Sequence, residues 1–599
     1  MTPLWGERMK KLLKYLKGYE KECVLGPLFK LLEATFELLV PLVVASIVDK
    51  GIGSGDRGYI VKMCAVMIGL GIVGLASSVT AQYFSAVAAV GFSTRLRHTV
   101  LEHILNLSYS QVDKLGASTM ITRMTSDINQ VQNGINMFLR LFMRSPFIVF
   151  GAMAMAFTVD GKAAILFAVT IPVLSIIVFS VMLCSMPLYK KVQRQLDRVV
   201  LMTRENLLGA RVIRAFNRQS QEQEEFQREQ DRLAAFQVFV GKISALLNPL
   251  TYIVVNLAVM GLLYTGGIRV DAGSLTQGQV VALVNYMLQI LAELMKLADL
   301  IILMTKASAC LSRVNAVFEL ESEQQKAVGL KEESNLAGDW QRQEGSNAKK
   351  GFLEFDDVSF IYPGSQSASL SHLTFSAEKG QTIGIIGGTG SGKTTLINLI
   401  PRFYDVRQGE IRIDGVPIWQ MDVAALRAMI GVVPQNPVLF QGTLRDNLKW
   451  GKKDAEDAKL KEALQIAQAA EFVEQKKEGL DLRIEQNGRN LSGGQKQRLT
   501  IARALVKEPQ ILILDDASSA LDYATDAALR KFLNEQNKER LVFLVSQRVS
   551  AVRYADQILV LEEGALAGVG THESLLAECG VYREICQSQL GEEVSKDGR

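Results

Sequence analysis

Six long apolar runs constrain this chain more than any other feature. They lie near 24–48, 59–88, 135–158, 162–187, 246–268 and 278–306. A bilayer core takes about 20 mostly apolar residues per helix. Inside lipid every backbone N–H and C=O must be satisfied by the chain itself, which leaves helices or closed barrels. These runs far exceed a barrel strand, so they predict six helical spans. The other reading is a large soluble helical domain, which would have to bury six such helices in one core. No cleavable leader is evident. The basic start (Arg8, Lys10, Lys11, Lys14, Lys17) precedes a run too long for a leader, with no clear small-residue cleavage site.

Charge then orients the spans. Lys and Arg gather at the start, in 93–123 (Arg95, Arg97, Arg123) and in 190–218 (Lys190, Lys191, Arg194, Arg198, Arg204, Arg211, Arg214, Arg218). The alternate loops, 49–58, 159–162 and 268–277, are short and nearly free of such clusters. The positive-inside rule therefore puts both termini in the cytoplasm. Polar stretches 89–134 and 188–245 keep a helical pattern and read as cytoplasmic extensions of the spans. With 66 Lys and Arg against 62 Asp and Glu, the net charge is only +4. A nucleic-acid binder normally carries a strongly basic domain, so nucleic acid is not expected as a partner. Six Cys form no C-x-x-C pair and four His are scattered, so neither a disulfide framework nor a zinc centre is expected.

The second half reads differently. Short apolar strands alternate with polar, Gly-containing turns from 351 onward. The expected organisation is a cytoplasmic segment (1–20), a transmembrane domain (21–318), a polar linker (319–350), a soluble α/β domain (351–590) and a polar tail (591–599).

That α/β domain carries a phosphate cradle. Gln381-Thr-Ile-Gly-Ile-Ile386 reads as a buried strand, followed by Gly387-Gly388-Thr389-Gly390-Ser391-Gly392-Lys393-Thr394 and an apolar helix from Thr395. This is G-x-x-x-x-G-K-[ST] between strand and helix. Its glycines let backbone N–H groups wrap phosphates, and the helix N-terminus adds partial positive charge. Lys393 is expected on the β/γ-phosphates and the Thr394 hydroxyl on Mg²⁺. A second apolar strand, Ile511-Leu-Ile-Leu514, ends in Asp515-Asp516. Asp515 is the candidate Mg²⁺ ligand, and Asp516 sits where a general base approaches the attacking water.

Between these lies Leu491-Ser-Gly-Gly-Gln495, and ahead of them Phe360-Ile-Tyr362-Pro363. The ordered set resembles the ATP-binding cassette of an ABC transporter, and with six N-terminal spans the chain resembles a bacterial multidrug-type exporter half-transporter over residues 10–590. The resemblance implies an all-α six-helix transmembrane domain followed by an α/β P-loop NTPase domain. It implies ATP and Mg²⁺ as cofactors, a second half-transporter as partner, and an amphipathic drug-like or lipid cargo. It places Tyr362 on adenine, Gln435 as a sensor of Mg²⁺ and γ-phosphate, and Glu485 before the signature. Ser492, Gly493, Gly494 and Gln495 would bind ATP held by the opposite cassette. Ser519-Ala-Leu-Asp522 matches the loop crossing the dimer interface. Coupling helices are expected near Gly116–Asp127 and Gly209–Phe216.

Two positions depart from the family pattern. Asp516 stands where Glu is usual, and Gln547 where a switch histidine is usual. Asp is one methylene shorter, so its carboxylate withdraws by roughly an ångström, a misplacement that can cost ~10²-fold. Gln547 can hydrogen-bond a phosphate but cannot titrate. The signature is intact. A poor Walker half beside a good signature half points to a heterodimer that completes one competent and one slow ATP site. A homodimer tolerant of Asp and Gln, or a non-transporting ATP-binding regulator, are the other readings.

In the membrane half, Glu33 and Glu37 (with Lys30 nearby), and Glu293, Lys296 and Asp299, fall inside expected spans. Such groups mark either a polar substrate cavity or interhelical pairing. The Met residues, among them Met153, Met155, Met287, Met295 and Met304, either line a promiscuous pocket or pack helices.

Overall fold

The computed structural model describes residues 14–320, 351–363, 365–517, 527–529, 531 and 539–590. The first residues 1–13, most of the expected linker (321–350), the loop Ser519–Asp522 and the tail 591–599 lie outside these. The chain divides into two compact units: Met1–Leu105 with Gly116–Leu320, and Asn106–Leu115 with Glu321–Arg599.

The described part of the first unit is helical. The apolar runs map onto helices α1 (Glu20–Ser46), α2 (Arg57–Leu105), α3 (Arg144–Val159), α4 (Gly161–Leu208), α5 (Leu247–Asp271) and α6 (Gln277–Phe318), except that the third run begins one helix earlier, in Ile128–Leu141. The 49 residues of α2 reach about 74 Å at ~1.5 Å per residue, over twice a bilayer core. Residues 89–105 of the first polar stretch and 188–208 of the second thus continue the helices of the preceding apolar runs. Lipid gives helices no hydrophobic reason to associate, so close packing must come from small residues. Buried Ala34, Ala81, Ala88, Ala152 and Ala156 supply it. At Gly26 an added Cβ would lie 2.7 Å from Ser85 Oγ on α2.

The count of six spans is not confirmed. By length and composition, five helical stretches are able to cross a membrane: Glu20–Ile52, Arg57–Leu105, Ala117–Val159, Gly161–Leu208 and Gln219–Asp271. The sixth expected span is helical but is not among them, so six crossings are not established. Helix α6 turns inward: Tyr286, Met287 and Ile290 are fully buried, and Tyr286 donates to the Leu38 carbonyl on α1 (2.8 Å).

The second unit is built on two main sheets. Strands β1 (Leu353–Phe360), β2 (Leu370–Ala377), β4 (Gln408–Ile413) and β5 (Val416–Pro417) form one, in the order β2-β1-β4-β5. The other comprises β3 (Thr382–Gly387), β6 (Ile430–Val433), β9 (Ile511–Asp515), β10 (Leu541–Val545), β11 (Gln557–Glu562) and β12 (Ala565–Gly570), in the order β12-β11-β3-β10-β9-β6. A short pair, β7 (Gly442–Thr443) and β8 (Arg483–Ile484), lies apart. In the six-stranded sheet only β11 and β12 pair antiparallel. Every residue of β9 and β10 is buried, as expected when both faces of a parallel sheet are covered. This order aligns the carboxyl ends of β3, β9 and β10, where ligands of open parallel sheets bind.

The segment Asn106–Leu115 groups with this second unit. The Tyr109 ring stacks on Phe403 at 4.3 Å, and Tyr404 donates to Asp113 (2.5 Å).

Candidate functional site

The cradle begins where β3 ends. The chain turns through 388–392 into α7 (Lys393–Leu399). Gly390 (φ +83°) and Gly392 (φ +98°) occupy left-handed backbone, which favours glycine. Gly392 is also crowded: a Cβ would sit 2.7 Å from Leu370 Cδ2 and 2.9 Å from the Ser369 carbonyl. Lys393 Nζ donates to the carbonyls of Gly387 (2.9 Å) and Gly388 (2.6 Å). Burial lowers the proton affinity of Lys393, against the opposing pull of Asp516 and Asp515.

Helix α7 carries Thr394 toward the end of β9. Its hydroxyl donates to Asp515 at 3.3 Å. Burial pushes the Asp515 carboxyl above the usual aspartate range; the Thr394 hydroxyl opposes that, and Asp516 adds to it. Asp516 follows at φ +46°, with its N–H donating to the Val545 carbonyl (3.0 Å). Gln435 Nε2 donates to Asp516 Oδ2 at 3.4 Å. A hydroxyl, a carboxylate and a carboxamide oxygen are the donors a hard divalent cation takes, so the residues fit Mg²⁺.

These groups surround one cavity of about 560 Å³. Thr389, Gly390, Ser391, Gly392, Lys393, Thr394 and Thr395 line it on the loop side. Gln435, Asp515, Asp516 and Gln547 line it from the strand ends, and Tyr362 from β1's side. Tyr362 packs edge-on against Phe360 and Tyr404, and its hydroxyl lies 3.2 Å from Thr395 Oγ1. Gly387 and Gly388 shape the turn without lining the cavity. Ser369, Glu563 and Gly564 also line it. Sequence reading missed them because no motif marks them; the β11–β12 turn reaches the loop only through sheet order, with Gly564 N–H donating to the Ser391 carbonyl (3.2 Å).

The signature residues lie elsewhere. Ser492 caps α8 (Gly493–Val506) and forms a reciprocal capping box with Gln495. Gln495 N–H donates to Ser492 Oγ (3.3 Å), and Ser492 N–H donates to Gln495 Oε1 (3.0 Å). The result is an exposed helix N-terminus with Gly493 and Gly494 in its first turn, which suits an anion. It does not line the cavity.

Glu33, Glu37, Glu293 and Lys296 of the first unit all stand in ion pairs. Arg144 joins Glu37 (2.7 Å) to Glu293 (2.6 Å), and Glu293 also holds Lys296 (2.8 Å) and the Ser145 hydroxyl (2.9 Å). Glu33 pairs with Lys30. For Glu293 this is the interhelical pairing anticipated as one reading. Met287 and Met295 pack in the same apolar cluster, as do Met153 and Met155.

The ABC transporter transmembrane region matches residues 23–294, and the ABC transporter family matches 370–519. The chain is 36% identical to an uncharacterized ABC transporter ATP-binding protein, YfiB, of Bacillus subtilis, covering 98% of this chain and all of that protein. It is 29% identical to an ATP-dependent lipid A-core flippase of Chromobacterium violaceum, covering 97% of each. Its fold is similar to that of a bacterial Atm1-family ABC exporter solved with ATP bound (TM-score 0.76, 24% identity, 96% of this chain and 99% of that one). The match to YfiB over 98% of this chain and all of that protein, across a helical membrane half followed by an α/β half, shows that this chain belongs to the ABC transporter family.

Proposed function

We propose that this chain is a half-transporter that exports or flips amphipathic drug-like or lipid molecules across the bacterial plasma membrane by alternating access. It does so with ATP and Mg²⁺, both termini in the cytoplasm, a membrane domain over 21–318 and a cassette over 351–590. One observation carries the reading. The cavity gathers Lys393, Thr394, Asp515 and Gln435 around a phosphate loop, yet its two hydrolytic positions are Asp516 and Gln547, while the signature helix keeps its cap.

In this reading Tyr362 stacks on adenine. The N–H groups of the 387–392 turn and α7 cradle the phosphates, and Lys393 leaves the loop carbonyls to bind them. Thr394, Asp515 and Gln435 would hold Mg²⁺, which would neutralise phosphate charge there. Asp516 orients the attacking water from a withdrawn position, so this chain's own Walker site turns over slowly. Ser492, Gly493, Gly494 and Gln495 serve the site on a partner cassette. The partner is a second half-transporter with Glu and His at the two positions. A homodimeric lipid flippase is the second reading, favoured by end-to-end likeness to proteins named as lipid A-core flippases.

The test is reconstitution in lipid, alone and with a half-transporter carrying Glu and His. Turnover and vectorial flux that appear only in the mixed dimer support the heterodimer. Brisk turnover and lipid translocation by the chain alone support the flippase homodimer and overturn the heterodimer.

A further inference from the structure

We propose that Gln589, near the C-terminal end of the described chain, is a positioning residue for the switch loop that presents Gln547 to the cavity. Gln547 leaves β10 two residues after the strand ends. Its backbone carbonyl accepts a hydrogen bond from Gln589 Nε2 (2.7 Å). Two residues on, Val549 N–H donates to Gln589 Oε1 (2.8 Å). One side-chain amide therefore bridges the backbone on both sides of Arg548. Ahead of the bridge, Ser546 N–H donates to the Ile385 carbonyl of β3 (3.1 Å), and Ser546 Oγ accepts from Arg548 N–H (3.0 Å). The loop is thus tied to the sheet at one end and to Gln589 at the other, with the Gln547 side chain between them and lining the cavity.

The bridge sits on a rigid support. Gln589 belongs to α10 (Gly580–Leu590), which follows α9 (His572–Glu578). Tyr582, Cys586 and Gln589 fall at helical spacing and so share one face. Tyr582 and Cys586 are fully buried in a cluster with Val549, Val552 and Ile386. The Tyr582 hydroxyl lies 2.7 Å from His572 Nδ1, which ties α10 to α9. Residue type matters here. A carboxamide offers a donor and an acceptor in one plane, which is what a carbonyl and an N–H two residues apart require. A carboxylate keeps the acceptor and loses the donor.

The consequence concerns the terminal phosphate. With glutamine in the switch position, contact to the γ-phosphate depends on where an uncharged amide is held. Misplacement by about an ångström is enough to lose much of such a contact. This rests on the reading that Gln547 meets the γ-phosphate.

The test uses the full chain in lipid nanodiscs with Mg²⁺, measuring equilibrium affinities for ATP and for ADP. The preference for ATP over ADP isolates the γ-phosphate contact. Gln547→Ala should lower that preference, and Gln589→Ala should lower it by a similar factor, up to about tenfold. The Gln547→Ala/Gln589→Ala double variant should fall no further, because coupled groups do not add. Gln589→Glu, isosteric and able to fold wherever the wild type does, should behave like Gln589→Ala. ADP affinity and the thermal midpoint should not move. If Gln547→Ala lowers the preference while both Gln589 variants keep it, Gln589 has no positioning role. If a Gln589 variant weakens ATP and ADP alike, its role is merely structural and the proposal fails. If Gln547→Ala itself changes nothing, the γ-phosphate reading of Gln547 fails, and this proposal with it.

Discussion

Charged side chains gather in two places in this molecule, and they behave oppositely. In the membrane half, Glu37, Arg144, Glu293 and Lys296 form an alternating chain in which each charge meets its opposite within 2.8 Å. In the cassette, Asp515, Asp516, Lys393 and Gln435 converge on about 560 Å³ of open space. There two carboxylates stand side by side while Lys393 turns to loop carbonyls. Paired alternation satisfies itself and holds helices together. Convergence of like charges around a cavity is costly unless a ligand answers it. Charge alone therefore does not mark a site; like charge gathered around open space does.

The contrast can be broken by mutation. Arg144→Ala removes the buried cation that joins Glu37 to Glu293 and leaves Glu293 only Lys296 and the Ser145 hydroxyl; losing one partner of a buried pair costs up to about 3–5 kcal/mol. Lys296 is half exposed, and Lys296→Ala should cost no more than about 1 kcal/mol. Thermal midpoints in detergent check both, and equal effects would refute the pairing. In the cassette the pattern should invert. Lys393→Ala should weaken ATP binding by roughly 10- to 100-fold, the range of a hydrogen bond to a charged group, with little change in midpoint. Nucleotide titration measures it.

Acidification sharpens the same point. Asp515 holds its proton above the ordinary aspartate range because it is buried, with Asp516 adding to the effect. Protons compete with a metal for a carboxylate. Mg²⁺ affinity should therefore fall as pH drops, and the fall should begin at higher pH than for an exposed aspartate. Asp516→Asn removes the neighbouring charge and should move that onset downward. A pH titration of Mg²⁺ binding follows both. The smallest effect is expected at the signature: Ser492→Ala removes a helix cap and costs about 1 kcal/mol. Because Ser492 does not line the cavity, ATP affinity of the isolated chain should not change.

Much of this was legible in the sequence, for reasons that differ by element. The phosphate loop and the β9 carboxylates could be read because local spacing fixes their chemistry: Gly392 has no room for a side chain, and Asp515 ends a strand that is apolar throughout. Helices α1–α5 were legible because lipid demands long apolar runs. Helix α6 was harder, since its Tyr286, Met287 and Ile290 face protein and its Glu293 answers Arg144 on α3. Ser369, Glu563, Gly564 and Gln589 were not legible. Sheet order brings the first three to the cavity, and α10 packing brings Gln589 to the loop that carries Gln547, and no local pattern records either. That Asn106–Leu115 groups with the second unit was not legible for the same reason: the Tyr109–Phe403 stack is invisible along the chain.

The central claim is that this cassette binds ATP well and hydrolyses it slowly because of Asp516 and Gln547. The direct measurement is the Mg²⁺-ATPase rate of the purified chain in lipid, beside the Asp516→Glu/Gln547→His double variant. The account predicts a nearly silent wild type and a gain of roughly 10²-fold in the variant, the factor expected when a misplaced catalytic group is restored. Brisk turnover by the wild type, with no gain in the variant, would contradict it.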